Sequence, residues 1–272
     1  MTGALRGNLL RAGALVAART GQNGATMGHD GGPAHAIGSA PGGEAIADGR
    51  VRIFQIGMQR CGTTAIALFL ERCGIPCVHY DEGRLAKRIR VNLAAGDRPL
   101  AGYDERYLAF ANMNWNAADD YCDAFKEYAA FRRAYGGRYI LNTRPMEHWV
   151  RSVMAHKAQR GRREMAAHWR LRFGTADPET VAAGLRAERE EHHRRVLAEI
   201  PADELLVFDI EADPPERLCD FVGVPRDRAR FWTRENALMN PFGRFLVRAV
   251  PAAVKRRIPR GWRRQVKNRL AQ

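Results

Sequence analysis

Apolar residues recur along this chain in short bursts separated by longer stretches of mixed polarity, the pattern of strands alternating with helices. Val51 to Ile56 reads as a buried strand, and Ala65-Ile66-Ala67-Leu68-Phe69-Leu70 begins a helix reaching about Cys73, with Gly74 suited to its C-cap. A short strand is expected at 76–79, a helix at 84–95, and an irregular stretch holding Gly96, Pro99 and Gly102 at 96–117. Asp119 or Asp120 is expected to cap a helix that runs to Tyr135 and ends at Gly136-Gly137. Tyr139-Ile140-Leu141-Asn142 reads as a strand, and Pro145 suits the first position of the next helix. Helices are expected at 162–173 and 178–199, the second heavily charged and lying on the surface. Another buried strand at 204–210 and a helix at 215–222 complete the series. Such alternation implies a mainly parallel sheet covered on both faces.

Charge divides the chain into three parts. The net charge is +14 over 272 residues, but the segment from Asn236 to Gln272 carries ten Lys/Arg and no acid. Residues 1–48 balance Arg6, Arg11 and Arg19 against Asp30, Glu44 and Asp48, which leaves only +4 for the stretch between. The expected organisation is a disordered extension at 1–48, a near-neutral domain at 49–235 and a basic tail at 236–272. The extension carries arginines and no acid before Asp30, a faint targeting character, but it lacks a continuous secretory apolar core; Met27 is a second candidate start. Cysteines 61, 73, 77, 122 and 219 are too irregularly placed for a disulfide framework and suggest a reducing, cytoplasmic setting. No run of eighteen apolar residues offers a membrane span.

Between the first strand and the first helix stands Gly57-Met58-Gln59-Arg60-Cys61-Gly62-Thr63-Thr64. Strand, glycine-bounded loop and helix aim backbone N–H groups and a positive dipole end at an anion. In the nucleotide-hydrolysing form of such a loop a lysine grips the β- and γ-phosphates and the next hydroxyl holds magnesium. Here Thr63 takes the lysine's place and the cation, Arg60, comes three positions earlier. The loop suits a phosphate-bearing ligand better than a metal-bound triphosphate. It places the chain among P-loop-type α/β folds, three-layer αβα sandwiches with a mainly parallel central sheet. The plain alternative is a tight turn capped by two threonines.

A second candidate anion site is Thr143-Arg144-Pro145, followed by Ser152. Arg144 ends a buried strand, where open α/β sheets carry ligand-binding groups. Ser152 comes eight residues later, two helical turns on, and can return to the same side. A planar guanidinium with a hydroxyl fits a monoester phosphate. Two separated anion sites on one sheet call for a nucleoside with phosphates at both ends.

These motifs resemble those of the sulfotransferases that use 3′-phosphoadenosine 5′-phosphosulfate (PAPS). In that family a strand leads into P-[KR]-x-G-T-T, which holds the 5′-phosphosulfate, and a later strand ends in R-[ND]-P-x₅-S, which holds the 3′-phosphate. This chain has Gln59-Arg60-Cys61-Gly62-Thr63-Thr64 and Arg144-Pro145 with Ser152 at the family's spacing. Gln59 replaces the leading proline, and Pro145 sits one place early. The resemblance spans about 51–222 and is nearest to bacterial members with a phrase like Gly74-Ile75-Pro76-Cys77-Val78-His79-Tyr80-Asp81-Glu82-Gly83. It implies sulfuryl transfer from PAPS to a hydroxyl or amine without a metal. It makes Arg60, Cys61, Gly62, Thr63, Thr64, Arg144 and Ser152 the nucleotide-binding residues.

Such a transfer needs the leaving phosphate stabilised and the acceptor deprotonated. Arg60 and the N–H groups of Gly62, Thr63 and Thr64 are the candidates for the first task. His79 is the candidate base, with Asp81, Glu82 and Asp104 as rivals. The acceptor is expected to be a small molecule, a sugar or a lipid headgroup, with 84–135 and 156–200 lining or covering its pocket. Cys73, Cys77 and His79 have metal-ligand character but no obvious fourth partner, and His192-His193 reads as a solvated pair. Asp209 resembles the acid that ends the second strand motif of NTPases and keeps a kinase or NTPase open. The tail mixes cations with Phe245, Leu246, Val250 and Trp262 over 244–272, which suits peripheral contact with anionic membrane at its inner face. A non-catalytic nucleotide-binding module recruited there is a further alternative. Nucleic acid is the weakest partner, since aromatic platforms and a known module are lacking.

Overall fold

The structure is a computed structural model and describes residues 51–158 and 162–233. The expected extension at 1–48 and the basic tail at 236–272 lie outside the described residues. Five strands form a fully parallel sheet: β1 (Ile53–Gln55), β2 (Cys77–His79), β3 (Ala109–Ala111), β6 (Arg138–Thr143) and β7 (Leu205–Asp209), in the order β2-β3-β1-β6-β7. A small antiparallel pair, β4 (Trp115–Asn116) and β5 (Tyr121–Cys122), stands beside it.

Alternate residues of the central strands feed two separate cores, as a sheet buried on both faces requires. Ile53 and Ile140 face α1 (Thr63–Arg72) and α7 (Glu216–Val222), packing with Ile66, Phe69, Phe208 and Leu218. Phe54, Tyr139 and Leu141 face α2 (Arg84–Ala95), α3 (Tyr128–Tyr135), α4 (Met146–Ala158), α5 (Arg162–Phe173) and α6 (Pro178–Glu199). The α/β expectation therefore holds, with helices on both faces of a parallel sheet. Phe54 is the pivot. It pairs in register with Phe110 on one side and Tyr139 on the other, and its ring stacks on theirs at 5.7 and 5.1 Å.

Chain connections leave β1 in one direction toward β2 and β3 and resume on the other side at β6. The reversal opens a crevice at the carboxyl ends of β1 and β6, the usual ligand site of an open α/β sheet. Into that crevice the sheet delivers the loop after Gln55, His79 from β2 and Arg144 from β6.

Two stretches differ from expectation. Within 96–117, expected to be irregular, lie β3 and β4; Ala109-Phe110-Ala111 is too short and too rich in alanine to announce a strand. The helix expected from Asp119 or Asp120 starts only at Tyr128. The two aspartates lie in the β4–β5 turn, where Ala117 N–H donates to the Asp120 carbonyl at 2.7 Å and Arg90 takes both carboxylate oxygens of Asp120.

Candidate active site

Asn142, wholly buried near the end of β6, closes the loop between β1 and α1. Its Oδ1 accepts from Gly57 N–H at 3.0 Å, and its Nδ2–H donates to the Cys61 carbonyl at 2.7 Å. A Cβ on Gly57 would lie 2.2 Å from the Asn142 carbonyl oxygen, so only glycine lets the strand and the loop approach this closely. Arg60 adopts φ +68 and Gly62 φ +74, which turns the chain sharply into α1. No side chain caps that helix and no acid lies in its first turn, so its first N–H groups face the crevice as a helix end suited to an anion. Cys61 is fully buried and burial pushes its thiol up to about 12, so its side chain packs and takes no part in chemistry.

Ser152 does return to the same side, and the two expected anion sites adjoin through direct contacts. Arg60 Nε–H donates to Ser152 Oγ at 3.2 Å, and Arg144 donates to the Arg60 carbonyl at 3.3 Å. Arg144 also pairs with Glu211, whose second carboxylate oxygen lies 2.7 Å from His148 Nδ1. The Arg144 Nε is buried without a partner. Burial, then the neighbouring Arg144, press the Arg60 pKa down. A guanidinium stays charged under such pressure, so the crevice carries positive charge that an anion would relieve.

His79 sits across the helix start from this cluster. Its Nε2 lies 3.3 Å from Thr63 Oγ1 and 3.4 Å from Thr64 Oγ1. Its rivals are placed less well. Asp81 accepts from Arg84 at 2.7 and 3.2 Å and from Tyr103 Oη at 2.6 Å. Burial raises its pKa, but these partners outweigh burial and hold the carboxyl below its ordinary range, a weak base. Glu82 is exposed and touches Arg84 at 3.3 Å. Asp104 lies at the opposite end of the sheet, near Arg52 before β1 and Tyr135 before β6. Residues Tyr80, Asp81, Glu82 and Gly83 all have positive φ (65, 45, 55 and 82), an uncommon run of local strain directly after His79.

The expected pocket wall at 84–135 is divided by this geometry. Asn114 reaches the loop, donating to Gln59 Oε1 at 3.0 Å, whereas Arg98 pairs with Asp104 at the far end. Among the described residues no three His, Cys, Asp or Glu side chains form a metal-binding group, so Cys73, Cys77 and His79 are not brought together as one. Asp209 Oδ1 accepts from Glu211 N–H at 2.8 Å, and β6 separates its strand from the loop.

Besides Asn142 on β6 and Trp149 on α4, the residues that sequence reasoning missed lie on α6. His192 is 5% exposed, and its Nε2–H donates to the Ile56 carbonyl at 2.7 Å, immediately before the loop. Burial pushes its pKa down to about 4, so it is neutral, with the proton on Nε2 because a carbonyl only accepts. Its expected solvation is thus wrong, and so is the wholly surface character of α6. Arg189 donates to Thr143 Oγ1 and, at 2.5 Å, to the Arg144 carbonyl. Its guanidinium lies 5.2 Å from the Trp149 ring, and Trp149 Nε1–H donates to the Gln59 carbonyl at 2.9 Å. The signal was present. Val181, Leu185, Arg189, His192 and Val196 form one buried stripe at helical spacing, and three of them are apolar.

A family model described as a sulfotransferase domain matches residues 52–237. Comparison with curated proteins gives no match. Among solved structures, a crystal structure of a sulfotransferase from Alicyclobacillus acidocaldarius is similar at 19% identity, with a TM-score of 0.42, covering 80% of this chain and 100% of that one.

Proposed function

Because the chain belongs to the sulfotransferase family, we propose that its donor is PAPS and that it passes the sulfuryl group to a hydroxyl or amine of a polar small molecule, a sugar or a lipid headgroup. The observation that carries this reading is the chain of contacts from Arg144 through Arg60 to Ser152, which offers two guanidinium groups and a hydroxyl around one crevice. Both ends of a nucleoside bisphosphate would find cationic donors there, and the buried, unpartnered Nε of Arg144 is a donor left for a ligand.

PAPS supplies an activated S–O bond when bound. The chain's own part is electrostatic and positional. The first N–H groups of α1 and the Thr63 and Thr64 hydroxyls would hold the 5′ end, and Arg144 with Ser152 the 3′-phosphate. As the acceptor oxygen bonds to sulfur, the bond from sulfur to the 5′-phosphate oxygen breaks and its electron pair stays on that oxygen. Arg60 stabilises the charge developing there and keeps its own proton. His79 Nε2, beside the threonine hydroxyls at the helix start, takes the acceptor's proton.

Two observations favour sulfuryl transfer over the kinase or NTPase alternative. Thr63 removes the lysine that grips a triphosphate, and the Asp209 carboxylate is engaged by its own turn. No helix among the described residues is long and apolar enough to cross a membrane. Peripheral attachment through 244–272 and a cytoplasmic setting stay proposals from sequence. Titration calorimetry with adenosine 3′,5′-bisphosphate (PAP), and separately with ATP and magnesium, tests the reading at moderate salt. Micromolar PAP binding without metal is expected; tighter binding of ATP that requires magnesium would overturn it.

A further inference from the structure

Arg189 is a buried charge that makes no ion pair among the described residues. It is 5% exposed, and among the described residues no carboxylate lies within ion-pair distance. Its donors go to Thr143 Oγ1, the Arg144 carbonyl and the Met146 sulfur at 3.8 Å, while its Nε has no partner. Burial acts most strongly against its charged form; Cys61 and Asp209 favour that form and Arg144 opposes it, leaving the pKa below its ordinary value. For stability alone this is a poor choice, because an apolar side chain of similar length fills such a space without the desolvation penalty.

What the arginine does provide is position. Arg144 is followed by Pro145, which confines its backbone to extended conformations and gives the turn no N–H at that point. A single Arg189 nitrogen, Nη2, holds the two residues before Pro145, through the Thr143 hydroxyl and the Arg144 carbonyl. Its flat face rests against Trp149, whose indole N–H holds the carbonyl of Gln59 next to Arg60. One side chain from α6 thus touches the strand end that bears Arg144 and props the ring that fixes the loop bearing Arg60.

We propose that Arg189 is a positioning residue that sets the separation of Arg60 and Arg144, and so the preference of the site for a nucleoside phosphorylated at both ends over its 5′-monophosphate. The proposal rests on the nucleotide reading above. It assigns to α6 a part in ligand selection that neither sequence motif contains.

The test is titration calorimetry of full-length Arg189→Met and Arg189→Lys with PAP and with adenosine 5′-phosphate, each beside a thermal melt. In the wild type PAP should bind more tightly than the monophosphate. Arg189→Met should weaken PAP about tenfold, the loss of one charge-assisted hydrogen bond's worth of positioning, and leave the monophosphate nearly unchanged. Its melting temperature should fall only modestly, because the Thr143 hydroxyl and the Arg144 carbonyl that lose a donor are only part-buried. Arg189→Lys keeps the charge but loses the planar group against Trp149 and should not restore the preference. Equal weakening of both ligands with a lowered melting temperature would make Arg189 structural only. An unchanged preference in a folded variant would overturn the proposal outright. Should Arg189→Met not fold, Thr143→Val removes one of the two acceptors of Nη2 and keeps the side-chain shape; the preference should fall, and an unchanged one counts against the proposal. A wild type without any preference for PAP would overturn the nucleotide reading, and this inference with it.

Discussion

The carboxamide of Asn142 and the backbone of Gly57 are locked together: Oδ1 accepts from the Gly57 N–H while the same amide donates across the loop to Cys61. The loop's shape is therefore imposed from β6 and not only by its own glycines. Asn142→Ala would leave a buried N–H and a buried carbonyl unsatisfied. We expect a loss of about 3 kcal/mol, read as a lower urea midpoint at unchanged m-value. Asn142→Asp should be worse, because its negative oxygen would face the Cys61 carbonyl.

His192 makes stability depend on pH. Its folded pKa, about 4, lies below its ordinary value of 6.5, so the unfolded chain binds the proton more readily. Stability should therefore rise with pH between about 4 and 6.5, with His192 contributing on the order of 3 kcal/mol over that window. His192→Gln keeps a donor for the Ile56 carbonyl and removes the titration. Urea unfolding at pH 5 and pH 7 should show a smaller difference for this variant than for the wild type; an equal difference would exclude His192 as its source.

Much of this architecture is written in local residue patterns. The strand before Gly57, the strand ending at Arg144 and the eight-residue step to Ser152 are legible because apolar runs, glycines and spacing each act over a few neighbours. Contacts made across the fold are not. Nothing near Asn142 announces that it closes a loop 85 residues away, and Ala109-Phe110-Ala111 becomes a strand only because β1 and β2 flank it. Arg189 and His192 were hidden for another reason. Charge on α6 suggested solvent, whereas Val181, Leu185 and Val196 show which stripe is buried.

The strain after His79 should be measurable. Glu82 holds φ +55 with an exposed side chain and only a solvent-facing contact to Arg84. Glycine occupies that backbone region freely, so Glu82→Gly should raise stability by about 0.5–1 kcal/mol. An unchanged or lowered melting temperature would show that the turn is not strained at this residue.

His79→Ala separates binding from chemistry. With the imidazole gone, PAP affinity should stay within about threefold, since the N–H groups and cations stay in place, while turnover should fall on the order of 10²–10⁴-fold. Turnover close to wild type would remove His79 as the base.

The most direct test of the account is titration calorimetry of Arg144→Ala with PAP and with adenosine 5′-phosphate. If Arg144 reads the 3′-phosphate, the variant should lose on the order of 10–100-fold in PAP affinity while its affinity for the monophosphate hardly changes. Equal loss of both ligands, or of neither, would contradict the two-phosphate site on which the proposed sulfuryl transfer rests.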